Sequence, residues 1–378
     1  MTPPLATPAL NTLMHSADPY DVGAEKDVDF LAAMRDAAAH HIKASPFYAA
    51  LCDHHGFKPD MLQRVSDLPR VPWIFVNTLK HHELLSISRE EVKLTLTSSG
   101  TGGQKSQIFF DEGSLARGLA TVDACFAANG LVAPETEVNY LIFAHDPAHA
   151  ATRGTSYTDH YMTNFTAVRS RWYALRWDAA SSDWAFDLAT TNLQLETFAA
   201  SDAPVRIIGF PAFLHRLITY RRENGYPNLQ LPQDSWLLTG GGWKKNESEA
   251  IPKEIFRAEV AEALGIPEIN QRDGYGLVEH GVPYLECPAH RFHVPHFSRA
   301  IIRDVATLAP LPEGEAGFLN LVTPYLLSMP SISLLTSDLA VMHHGCPCGR
   351  NTATLELRGR LGTRKNKGCA IAATQLLS

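Results

Sequence analysis

Leu94-Thr95-Leu96-Thr97-Ser98-Ser99-Gly100-Thr101-Gly102-Gly103-Gln104-Lys105-Ser106 is the stretch from which the rest of the chain can be read. Leu and Thr alternate over its first four residues, the period of a strand with one buried face. Hydroxyls and glycines follow, and Ile108-Phe109-Phe110 then resumes an apolar, strand-like run. The pattern predicts a hairpin whose loop offers many backbone N–H groups, several hydroxyls and the ammonium of Lys105. Such a loop cradles phosphate oxygens, because successive amides form an anion-binding concavity and glycine lets the main chain come close. The plain alternative is a hairpin loop without a ligand. A Walker A loop is excluded, since G-x-x-x-x-G-K-[ST] needs glycines at 99 and 104, where Ser99 and Gln104 stand.

Upstream of the loop, residues 1–25 are rich in Pro and small side chains and read as a loose leader, followed by a helical region over 26–56. Pro59, Pro69 and Pro72 make the next stretch a connector with at most short helical turns. Downstream, Ser114–Asn129 reads as a helix stopped by Gly130, and Val138–Phe143 as a buried strand. From Val205 strands and helices alternate. Val205–Phe210 is a strand, Pro211 opens a helix carrying Phe213, Leu217 and Tyr220, and Trp236–Thr239 is a strand running into Gly240-Gly241-Gly242. A helix with Phe256, Val260 and Leu264 on one side ends at Gly265, and Asp273-Gly274-Tyr275-Gly276 follows. Strands that end in glycine loops before helices imply a parallel sheet with ligand loops at the strands' carboxyl ends. The fold class is therefore α/β, parallel sheets flanked by helices, with a β-rich subdomain at about residues 291–345.

The composition excludes several classes. A length of 378 residues allows one large domain or two to three smaller ones, and 45% hydrophobic with 19% charged residues is ordinary for a globular chain with a sizeable core. A net charge of −7 gives no basis for a nucleic-acid partner. Residues 1–23 carry no basic, then apolar, leader of the secretory kind, and no run of eighteen apolar residues spans a membrane. The expected location is the cytoplasm. There Cys52, Cys125, Cys287, Cys346, Cys348 and Cys369 are thiols or metal ligands rather than a disulfide framework.

Together these motifs resemble the adenylate-forming superfamily, which makes acyl-AMP from a carboxylic acid and ATP. Ser98-Ser99-Gly100-Thr101 with Gly103 is similar to its phosphate loop, and Gly240-Gly241-Gly242 stands where its adenine-side glycine loop is expected. Tyr275-Gly276-Leu277-Val278-Glu279 resembles its tyrosine-glycine-x-x-glutamate motif, in which the ring borders adenine and the carboxylate helps hold Mg²⁺. Thr336-Ser337-Asp338 resembles the segment whose aspartate binds the ribose hydroxyls, and Gly359-Arg360 the hinge arginine that reaches ribose or phosphate. A narrower resemblance is to the acyl-protein synthetase family of LuxE type, the long-chain fatty acid–luciferin-component ligases. It is carried by Lys105-Ser106-Gln107, Gly240-Gly241-Gly242-Trp243-Lys244, the Glu279-His280 pair, Ile302-Arg303-Asp304, Cys346-Pro347-Cys348-Gly349 and Lys367-Gly368-Cys369-Ala370. Phenylacetate–CoA ligases are a more distant likeness. The sequence also departs from the wider superfamily: Lys105 stands where a proline is usual and Ser106 where a lysine is usual.

The resemblance implies an adenylation core over 1–360 and a short movable tail over 361–378 in place of a larger C-terminal domain with its catalytic lysine, Lys367 being the substitute expected here. It also implies that Cys369 takes the acyl group and passes it to a partner, an acyl reductase or carrier protein. Arg364, Lys365 and Lys367 surround that thiol, and cations favour the thiolate. An acyl- or aryl-CoA ligase would have no need of Cys369, and an idle adenylate-binding scaffold would keep the fold without turnover. Two further sets are suggested by residue type alone. Cys287-x5-His293 with Cys346-x-Cys348 offers four ligands for a structural tetrahedral Zn²⁺, His290 being the alternative to His293. His145 and His149 would share a face only if helical, which Pro147 opposes. Gly209-Phe210-Pro211 resembles the family's acyl-pocket turn.

Overall fold

The computed structural model describes residues 7–16, 18–98, 106–146, 160–178, 183–243 and 248–360. The chain divides into two compact units: one takes its residues from within Met1–Gly100, Gln104–Asn129 and Leu277–Ser378, the other from Thr101–Gly103 and Gly130–Gly276.

The unit ending at Gly276 is built on the expected parallel sheet. Its strands lie in the order Gln271–Tyr275, Trp236–Gly240, Val205–Gly209, Ala133–His145, Thr166–Asp178 and Asp183–Phe186. The first five run parallel to their neighbours, and Asp183–Phe186 returns antiparallel at the edge. Every residue of Val205–Gly209 is buried, as a strand covered on both faces requires. Helices Leu188–Ala199, Pro211–Glu223 and Lys253–Leu264 contribute Leu195, Leu217, Val260 and Leu264 to a core shared with Leu141, Val205 and Ile207 from the sheet. Pro211 occupies the first turn of its helix, and Gly265 ends the next at φ +72°. The register pairs Phe143 with Gly209, Gly209 with Thr239, and Gly240 with Gly274, so the carboxyl ends of four strands lie side by side. The Thr166–Phe186 edge pair and helix Leu188–Ala199 were not anticipated. Their residues alternate weakly, and the edge strand Asp183–Phe186 has no fully buried position.

The other unit carries the β-rich region. It runs beyond residue 345, because Thr354–Arg360 pairs with Ser333–His343. The sheet order is Phe292–His293, Thr354–Arg360, Ser333–His343, Ala316–Val322 and Arg299–Arg303, all antiparallel, with Ile74–Phe75 parallel to Ser333–His343. The predicted hairpin is present, Leu94–Thr97 against Gln107–Phe110. Helices Ala24–Ala44 and Pro46–His55 are separated by Ser45, whose side chain accepts from the Tyr48 N–H. Glu112–Ala128 is capped by Asp111.

The leader is not loose in its described part. Thr7 caps a helix over Pro8–Met14 with Pro8 in its first turn, and Leu10 and Leu13 are each 1% exposed. Prolines and small residues here serve as helix-start chemistry rather than as a linker. Among the described residues no helix is long and apolar enough to cross a membrane.

Candidate functional site

The neck of the hairpin loop is closed twice: the Ser98 N–H donates to Ser106 O at 3.1 Å, and the Ser106 N–H to Ser98 Oγ at 3.0 Å. The Ser98 oxygen therefore serves as an acceptor at the loop's own base. Ser106, in the position of the usual lysine, is fully buried, and its Oγ has no partner among the described residues. Ser99, Gly100, Thr101, Gly103 and Lys105 lie outside the described residues, as do Lys367 and Cys369.

At the carboxyl ends of the parallel strands the glycines have local reasons. Gly241 and Gly242 take φ of +71° and +65°, and a Cβ on Gly240 would lie 3.3 Å from Gly274 O. The loop leads into Trp243, whose ring meets His215 edge-on at 5.5 Å and Phe256 at 6.2 Å. His215 Nδ1 is in turn 2.7 Å from Glu259 Oε2. Asp273 is tied to Thr239 Oγ1 at 3.0 Å, to the Gly274 N–H at 3.0 Å and to Lys253 Nζ at 2.6 Å. Lys253 and the His215–Glu259 pair were missed in the sequence because they sit on helices and meet the strand ends only through tertiary packing. Tyr275 is half-buried and Gly276 exposed; the unit ends there. On the neighbouring turn, Gly209 has φ +125°, and a Cβ would fall 2.5 Å from Phe143 O.

Across the unit boundary in sequence, Glu279 is 4% exposed, and no salt bridge reaches its carboxylate among the described residues. A buried carboxylate is a hard oxygen ligand of the kind that could hold Mg²⁺. His280 is held by a chain of hydroxyls. Ser298 Oγ donates to Val322 O at 3.2 Å and accepts from Tyr284 at 2.6 Å, whose oxygen accepts from His280 Nε2 at 2.7 Å. Its Nδ1 has no partner among the described residues. Asp338 and Arg360 stand opposite each other in register, and the guanidinium forks onto the carboxylate at 2.6 and 3.1 Å.

Cys287, His293, Cys346 and Cys348 come together, their ligand atoms all within 4.8 Å of one another. Cys287 Sγ is 3.6 Å from Cys346 Sγ, and Cys348 Sγ is 3.3 Å from His293 Nε2. A zinc tetrahedron with ordinary Zn–S and Zn–N bonds places such atoms about 3.5–3.8 Å apart, so the set fits. His293 Nδ1 lies 2.7 Å from Thr352 Oγ1, which orients Nε2 inward, the usual arrangement around a metal-bound imidazole. Burial, then the charge of Arg350, pushes the His293 ring down to about 4, keeping it neutral. Burial pushes the Cys346 thiol up to about 12. For Cys348 burial acts upward, but hydrogen bonds from the Arg350 N–H, Cys346 and Cys287 outweigh it and the net shift is downward. Of the two imidazoles considered, the fold selects His293: His290, at φ +55°, turns instead toward Glu286 at 3.4 Å. His145 ends a strand rather than lying in a helix and packs edge-on against Trp184 at 4.5 Å; His149 lies outside the described residues.

The model of the family "Acyl-protein synthetase, LuxE" matches residues 5–378. The chain belongs to that family. A Vibrio harveyi long-chain-fatty-acid–luciferin-component ligase is 26% identical over 90% of this chain and 86% of its own length. A Thermus thermophilus phenylacetate–coenzyme A ligase is 26% identical over 84% of this chain and 66% of its own length. In structure, a 2-hydroxyisobutyryl-CoA ligase in an open conformation aligns over 93% of this chain and 80% of its own with a TM-score of 0.66 and 17% identity, a likeness of fold. As an acyl-protein synthetase family member the chain is an ATP-dependent ligase, and its α/β architecture is that of adenylate-forming enzymes.

Proposed function

We propose that this protein activates a carboxylic acid, of the fatty class, to acyl-AMP and transfers the acyl group to the thiol of Cys369, for delivery to an acyl reductase or carrier protein. The single observation that carries the reading is the family match over 5–378, which spans the adenylation motifs and the tail cysteine together.

A carboxylate is a poor acyl donor because its leaving group would be oxide. In the first step its oxygen attacks the α-phosphorus of ATP and pyrophosphate leaves with the bridging electron pair. In the second, the Cys369 thiolate attacks the acyl carbon and AMP leaves as its phosphate anion. Catalysis of this kind is mostly alignment and charge neutralisation. The assigned roles are these: the loop Ser98–Gly103 and Lys105 receive phosphates, Gly240–Gly242 and Tyr275 border adenine, and Asp338 and Arg360 take the ribose and phosphate side. Mg²⁺ would be held by Glu279 and would neutralise phosphate charge. Arg364, Lys365 and Lys367 favour the thiolate of Cys369, and Lys367 neutralises the departing phosphate. Cys287, His293, Cys346 and Cys348 would together hold Zn²⁺ through four protein ligands, and a site closed in that way would serve structure rather than catalysis.

The test is carboxylate-dependent exchange of labelled pyrophosphate into ATP, followed by intact-mass measurement across a panel of fatty and aromatic acids. Exchange and a covalent acyl adduct that disappears in Cys369→Ala are expected. No exchange with any acid would leave a scaffold role. Exchange without an adduct, and with acyl-CoA formed on adding CoA, would make it a CoA ligase.

A further inference from the structure

The two stretches that supply the four candidate metal ligands also contact the N-terminal segment. Arg350, two residues past Cys348, lies over the Tyr20 ring with its guanidinium carbon 4.1 Å from the centroid. It also donates to Asn129 Oδ1 at 2.9 Å and Ala128 O at 2.7 Å, at the carboxyl end of helix Glu112–Ala128. Asn129 Nδ2 then donates to the Tyr20 hydroxyl at 3.0 Å. From the other stretch, at the end of strand Phe292–His293, the His293 ring meets Tyr20 edge-on at 5.8 Å. Three residues on, the His296 N–H donates to Pro19 O at 2.7 Å, and its ring nitrogens lie 3.0 and 3.1 Å from Leu13 O and Asp18 O.

Tyr20 is 4% exposed, and groups that pack on it come from both ligand-bearing stretches and the end of helix Glu112–Ala128. The loop over 346–350 has no regular secondary structure of its own. Cys346, Cys348 and Arg350 tie it to Cys287, His293 and the carboxyl end of helix Glu112–Ala128. Ion binding that fixes a loop is folding free energy for whatever the loop holds. Resting on the metal reading above, we infer that the Cys287–His293–Cys346–Cys348 centre is the clasp of the N-terminal segment: a bound metal ion sets Arg350 and His296 so that residues 8–21 stay docked. The chemistry required is a tetrahedral divalent ion of the zinc type.

The test uses the full chain, first assayed for zinc by elemental analysis and by zinc titration. Hydrogen exchange of peptides over 8–21 is then compared with those over 205–218 in the other unit, before and after chelation. Removal is expected to speed exchange over 8–21 at least tenfold, leave 205–218 unchanged, and reverse on adding zinc. Arg350→Met, which keeps all four ligands, is expected to retain its zinc yet exchange quickly over 8–21 even when loaded. Equal protection of 8–21 with and without zinc, or in loaded Arg350→Met, overturns the clasp. Equal acceleration in both units overturns it too, because the ion would then hold the whole chain. A chain that takes up no zinc fails earlier, and that failure belongs to the metal reading.

Discussion

Arg360 and Asp338 face each other across adjacent antiparallel strands and form a two-point ion pair at 2.6 and 3.1 Å. The resemblance assigns both to the nucleotide, one to ribose and one to ribose or phosphate, and the fold makes them partners. The Arg360 side chain is 49% accessible against 9% for Asp338, so solvent screens the pair from the arginine side and weakens its contribution to stability.

Asp338→Asn keeps an acceptor for Arg360 but loses the charge. Losing a hydrogen bond to a charged group costs about 1.5–3 kcal/mol, which is about 10–150-fold in apparent KM for ATP. Urea unfolding should move by less than about 1 kcal/mol. An unchanged KM would remove Asp338 from the ribose site.

Trp243 is the first side chain after three glycines and is braced by His215 and Phe256. Glycines at positive φ give the loop no side-chain hold, so the indole sets where the loop emerges. Trp243→Ala is expected to raise the KM for ATP several-fold with a smaller change in melting temperature, and Trp243→Phe to recover most of it. Equal KM values in wild type and Trp243→Ala would show that the loop needs no brace.

Two buried histidines make stability fall in acid. His41 donates Nε2–H to Leu326 O at 3.2 Å and accepts the Ser86 hydroxyl at Nδ1, 2.8 Å away, so only the neutral ring satisfies both. Burial, then the charge of His40, pushes it down to about 3. Burial pushes His280 down to about 3 as well. An unfolded histidine titrates near 6.5, so between about 6.5 and 3 the unfolded chain binds protons that the folded rings refuse. Folding stability should drop by up to about 1.4 kcal/mol per pH unit for each ring as pH falls through that window. His280→Gln should remove one ring's share of the slope in urea titrations from pH 7 to 4, and an unaltered slope would contradict this account.

Gly209 and Gly225 both have positive φ, but they differ in space. A Cβ on Gly209 meets Phe143 O at 2.5 Å, whereas one on Gly225 meets nothing within 4 Å. Gly225→Ala should cost only conformational strain, about 1 kcal/mol. Gly209→Ala adds overpacking against main chain and should cost about 2–5 kcal/mol in chemical denaturation. Similar costs at the two sites would mean that the Phe143 strand yields easily.

What the sequence determined by itself was whatever local pattern encodes. The Leu–Thr alternation and Ile108–Phe110 specify a hairpin, the all-buried Val205–Gly209 run specifies a central parallel strand, and Pro211 and Gly265 mark a helix start and a helix end. The four metal-type ligands were legible from residue type, since few other roles need three cysteines and a histidine in two short clusters. Tertiary structure decided between equals: His293 over His290, because only His293 faces Cys348 with Thr352 behind it. It also turned the expected leader into a docked helix, because the partners of Leu13, Asp18, Pro19 and Tyr20 lie more than a hundred residues away, at Asn129, His296 and Arg350. Periodicity reports which face of an element is buried, and only packing reports what lies against it.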